Sequence, residues 1–121
     1  MATQTADDRQ GWRTANTTAL LETVLRLETV EEAASFFRDL CTLGELHDLS
    51  QRWAVVRLLD QGLHYAEISQ LTGASTATIT RIASWLNHGE GGYRLMLERT
   101  RSGSISSDSP PPDRYPLATS R

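Results

Sequence analysis

Residues 65–86 read YAEISQLTGASTATITRIASWL, and here residue type and spacing point to a chemistry. At helical spacing, Ala74, Ile79, Ile82 and Leu86 fall on one apolar stripe. Ser75, Thr76, Ala77, Thr80, Arg81 and Ser84 are left for solvent. Serine and threonine are weak helix formers, and a helix kept only for packing would present Glu, Lys, Ala or Leu outside. Poor local propensity on an exposed face is where a functional demand is expected. Hydroxyls and small methyls suit base edges and thymine methyls in a DNA major groove, and an arginine suits guanine or phosphate. The N-terminus of such a helix adds backbone N–H donors and a positive dipole end for a phosphate.

Such a face needs a frame that aims it. Ile68 and Leu71 give an apolar side to a short helix near residues 65–71. Gly73 suits a tight turn, because glycine takes positive φ without Cβ strain. Ser69 is small where two helices must approach closely. Two short helices joined by such a turn make a helix-turn-helix over about residues 65–88, whose second helix lays its first turns in the major groove. A helical hairpin in a bundle, with its hydroxyls merely solvated, is the weaker alternative.

The rest of residues 16–101 also reads as helix. Asn16 or Thr17 would cap a first helix carrying Leu20, Leu21, Val24, Leu25 and Leu27. Thr29 and Glu32 have capping-box spacing ahead of Ala33, Phe36, Phe37 and Leu40, with Gly44 as the expected break. A third helix from about Glu45 aligns Leu46, Leu49, Trp53, Val56 and Leu58 or Leu59, and Gly62 stops it. Gly89, Gly91 and Gly92 break the chain before a last helix over residues 93–101. No strand pattern is seen, so the fold class is all-α. Residues 1–15 read as a disordered arm. Residues 102–121, which hold all four prolines, read as a disordered Ser/Pro-rich tail.

Composition narrows the function. A chain of 121 residues allows one domain with a small core. It has 12 arginines, no lysine and a net charge of −3. The charge is uneven: residues 1–51 carry −5, residues 52–101 carry +2, and the remainder is neutral. The acidic total argues against a purely electrostatic DNA binder, and the positive middle is a weak pointer to nucleic acid. No apolar run approaches the length of a membrane helix, and the first ten residues contain no signal-like apolar stretch. The expected location is cytoplasmic.

Other chemistries find little support. Cys41 is the single cysteine, which excludes an internal disulfide, and with His47 it lacks the ligand number and spacing of a metal site. His64 and His88 stand apart from any nucleophile or carboxylate pair. The glycine-rich GEGGY at residues 89–93 follows a helix rather than a strand, so it reads as a helix stop and not a phosphate loop. No catalytic residue, metal or cofactor is expected, and the chain does not read as an enzyme.

The segment Gly73-Ala74-Ser75-Thr76-Ala77-Thr78-Ile79-Thr80-Arg81 is very similar to the reading head of the Trp repressor. Residues 51–62, QRWAVVRLLDQG, resemble the helix that precedes it there. Residues 36–46, FFRDLCTLGEL, the GASTATI run and residues 86–93, LNHGEGGY, extend the likeness to the Trp repressor-like YerC/YecD family over about residues 18–100. The resemblance implies a six-helix fold, an intertwined homodimer, two reading heads and double-stranded DNA as partner. It implies a transcriptional regulator, expected to be a repressor; two heads in a symmetric dimer imply a palindromic site, which the exposed Ser75, Thr76, Ala77, Thr80 and Arg81 are expected to contact. The two arginines that sandwich the indole in the Trp repressor fall on Arg52 and Arg81, marking these as candidate effector or phosphate contacts. A glycine and a serine beside that pocket fall on Ile82 and Trp85. These bulky residues are expected to fill the space, which argues against tryptophan as effector and leaves any effector unknown. The competing reading is a dimerisation or protein-interaction module whose helix-turn-helix does not read DNA.

Overall fold

The computed structural model describes residues 11–103. The expectations for residues 1–10 and 104–121 therefore lie outside the described residues. Among those described there are six helices and no strand. They are α1 (Ala15–Val24), α2 (Val30–Leu40), α3 (Leu43–Asp60), α4 (Tyr65–Thr72), α5 (Thr76–His88) and α6 (Gly92–Gly103). The chain divides into two compact units, Met1–Leu43 and Gly44–Arg121.

The first unit holds α1 and α2. Thr14 caps α1, and its Oγ1 accepts from the Thr17 N–H at 3.1 Å. The expected cap at Asn16 or Thr17 is thus displaced by two or three positions, because several threonines and an asparagine compete for the role. The helix also ends at Val24, leaving Leu25 and Leu27 beyond it. Half of the expected capping box forms at the start of α2: the Glu32 N–H donates to Thr29 Oγ1 (3.0 Å), but Glu32 Oε1 accepts from the N–H of Glu28 (2.9 Å), one residue before the cap, rather than from that of Thr29. Cys41 in extended backbone ends α2, so the break precedes Gly44, which instead lies in the first turn of α3. No residue of α1 or α2 is buried within the single chain.

The second unit has a core. Val55, Val56 and Leu58 of α3 meet Ile68 of α4, Ala74 of the turn, Ile79, Ile82 and Leu86 of α5 and Leu97 of α6. Trp53, Leu59, Leu63, Leu71 and Tyr93 pack against it, half-buried. The third helix closes as glycine dictates. Gly62 takes φ +86°, its N–H reaches the Leu59 carbonyl (3.0 Å), and the Leu63 N–H reaches the Leu58 carbonyl (3.2 Å). This pattern turns the chain sharply and brings α4 back over α3. A salt bridge from Arg101 to Asp60 (2.9 Å) ties the end of α6 to the end of α3.

Candidate nucleic-acid interface

The apolar residues of α4 and α5 fix which face is left for function. Ile68 and Ile79 are fully buried and Ile82 is 1% exposed, so one side of the pair is committed to the core. Ser75, Thr76, Ala77, Thr80, Arg81 and Ser84 all lie exposed on the other side. The turn between the helices has the expected left-handed glycine, Gly73 at φ +82°, whose N–H closes α4 on the Ser69 carbonyl (2.8 Å). Ser69 is small, as the close approach requires, and also acts as a donor: its Oγ gives a hydrogen bond to the Ala74 carbonyl at 2.7 Å.

The first turn of α5 is ordered by its own hydroxyls. Ser75 is the N-cap, accepting from the Thr78 N–H at 3.1 Å. It serves the helix end and remains exposed beside the free backbone donors of that end. Thr80 Oγ1 donates to the Thr76 carbonyl (2.9 Å), so this exposed side chain keeps acceptor capacity and a methyl group to offer. Arg81 donates to Thr78 Oγ1 at 3.4 Å, a long contact that a stronger acceptor would displace.

Arg52 of α3 and Arg81 of α5 line one cleft of about 250 Å³, with Asp48, Gln51, Thr78, Ile82 and Trp85. The sequence brings these two arginines together across 29 positions only through the fold. Ile82 and Trp85, the two residues expected to fill this space, both line the cleft. Ile82 is buried in the core, but Trp85 is 50% exposed and stands at the rim. Trp85, one turn past Arg81, lines both this cleft and an apolar groove beside it.

Two features were missed in the sequence. One is a hydrogen bond from Gln51 Nε2 to the Thr72 carbonyl (3.0 Å), linking residues 21 positions apart. The other is an apolar groove of about 760 Å³ lined by Trp53, Trp85, Tyr93, Met96 and the glycines at 89, 91 and 92. Its Trp53 and Tyr93 rings stand 6.2 Å apart. The cluster of aromatic residues near GEGGY was the available signal. Among the described residues, no three His, Cys, Asp or Glu side chains group as a metal site would need, and no helix is long and apolar enough to cross a membrane.

Fold and face together define an all-α helix-turn-helix protein. A model of the Trp repressor protein family matches residues 15–101, and the chain belongs to that family. It is 42% identical over 90 residues to the uncharacterized protein YerC of Bacillus subtilis (strain 168), covering 74% of this chain and 86% of that one. A TrpR-like protein from Eubacterium eligens ATCC 27750 superposes with a TM-score of 0.71 at 39% identity, covering 77% of this chain and 94% of the other. A provisionally assigned Trp repressor from Staphylococcus aureus gives a TM-score of 0.73 at 42% identity, covering 76% and 92%.

Proposed function

We propose that the protein is a sequence-specific DNA-binding transcriptional regulator of the cytoplasm, a repressor rather than an enzyme, that reads a palindromic site as a homodimer. The observation that carries this reading is the division of α5: a stripe of isoleucines committed to the core and, opposite it, exposed Thr76, Ala77, Thr80 and Arg81 on the first turns. Thr76, Ala77 and Thr80 meet base edges, while Ser75 and Arg81 sit nearer the phosphates. Arg52 adds a second cation on the α3 side of the cleft, toward a phosphate or an anionic effector.

The homodimer is supported by apolar surface that a single chain leaves in water. Leu25 is 82% exposed and Val30 78%, and the groove at Trp53, Trp85, Tyr93 and Met96 is open. Uncovered surface of this kind is costly at roughly 25 cal/mol per Å². An intertwined arrangement, in which each α1–α2 pair packs on the other chain, would cover it.

The test is selection of bound duplexes from a random pool. The reading expects enrichment of one palindromic sequence. Retention of DNA with no sequence in common, or none at all, would favour the interaction-module alternative, whose support is the acidic total charge and the single arginine on the exposed reading face.

A further inference from the structure

Three side chains hydrogen-bond backbone groups of the turn between α4 and α5. Ser69 Oγ donates to the Ala74 carbonyl, and Thr72 Oγ1 accepts from the Ala74 N–H at 3.1 Å. Both of these bonds lie inside the helix-turn-helix and would hold it together wherever it sat. The third is different. Gln51 belongs to α3, and its Nε2 donates to the Thr72 carbonyl, one of the acceptors that the end of α4 leaves without a helical partner. The amide lies against the turn itself, 3.8 Å from the point where a Cβ on Gly73 would stand.

Alongside this bond, Val55, Val56 and Leu58 of α3 share one buried aliphatic cluster with Ile68, Ile79 and Ile82. Such packing is strong but non-directional. A hydrogen bond has a narrow distance and angle, so the half-buried Gln51 sets where the turn sits along α3. Ser75 caps α5 only three residues beyond Thr72, so a shift of the turn is a shift of the reading face.

We propose that Gln51 is a positioning residue for DNA reading: it touches no base, but its bond to the Thr72 carbonyl fixes the register of α5 against the body of the protein. The proposal rests on the DNA-reading function above. It implies a residue outside the helix-turn-helix that governs specificity, because two heads must fit one palindrome together and a small shift in each is felt at both half-sites.

The test compares affinities for the selected palindrome and for a scrambled duplex, well below the melting temperature. Gln51→Met keeps length and loses the donor. Gln51→Asn keeps the amide and falls one methylene short, and it serves if the methionine variant folds poorly. Gln51→Lys restores a donor of sufficient reach. The expected result is a loss of about tenfold in the palindrome-to-scrambled ratio for Met and Asn, as removal of one hydrogen bond predicts, with recovery for Lys. Using the ratio removes the general gain in DNA affinity that an added charge brings. An unchanged ratio in Met and Asn overturns the proposal and makes Gln51 a plain helix cap. A loss that Lys does not recover also overturns it, since packing rather than the donor would then be responsible. Should the unaltered protein enrich no sequence, the DNA reading itself falls, visibly in the wild type, and this proposal falls with it.

Discussion

At the scale of residues, the division of labour on α5 follows from what each hydroxyl has already committed. Thr80 spends its proton on the Thr76 carbonyl, so toward a base it offers an acceptor and a methyl. An acceptor there suits adenine N6 or cytosine N4, and the methyl suits thymine. Thr80→Ala is expected to erase discrimination at one base position, at about 1–3 kcal/mol, with little change at the others. Arg81 makes only a long bond to Thr78 and is exposed, so it is available to a phosphate. Arg81→Ala is expected to weaken all sequences evenly and to lower the slope of log K against log salt by about one. Binding titrations on single-base variants of the selected site, repeated over a salt series, separate the two patterns. Specificity lost in the arginine variant, or an even loss in the threonine variant, would reverse these roles.

At the scale of elements, glycines decide how the helices turn, and they differ in what they would tolerate. A Cβ on Gly89 would stand 2.5 Å from the Trp85 carbonyl oxygen, which is backbone and cannot swing aside. Gly89→Ala must therefore open the end of α5 or displace α6, and a loss of about 2 kcal/mol is expected in denaturant unfolding. An unaltered midpoint would mean that the α5–α6 junction is looser than its geometry implies. The same junction shows what a sequence makes legible. GEGGY after an apolar stripe read correctly as a stop, because glycine's backbone freedom is a local property. The α4–α5 pair was likewise legible to within a residue, since its stripe, its turn glycine and its serine cap all lie within 22 positions of one another. The start of α1 was not, because Thr14, Asn16 and Thr17 are all good caps, and the local bonds that accompany the choice, among them Thr17 Oγ1 to the Trp12 carbonyl (2.8 Å), are not marked by residue type. Nor was the Gln51–Thr72 bond or the open cleft beside Trp85, since each depends on how two helices lie across each other, which no local pattern records.

At the scale of the whole molecule, two features need each other. The first 51 residues carry a net −5 and bury no side chain in α1 or α2, whereas the reading face lies in a stretch of +2. A chain that bound DNA by charge alone would not be built so. On the proposed function, a dimer that covered the apolar residues of α1 and α2 and directed two positive faces the same way would reconcile the acidic total with DNA binding. The non-specific term would then stay small, and sequence reading would distinguish one duplex from another. The family match over residues 15–101 spans α1 and α2 as well as α4 and α5.

The central claim is that two copies of α5 read one palindrome, and a hydroxyl-radical footprint on the selected duplex, with the number of bound chains measured on the same sample, tests it most directly. The account predicts two chains per duplex and two protected patches on one face of the DNA, centred one helical turn apart, roughly 34 Å. One chain per duplex, a single protected patch, or protection that drifts along the DNA without a fixed centre would contradict it.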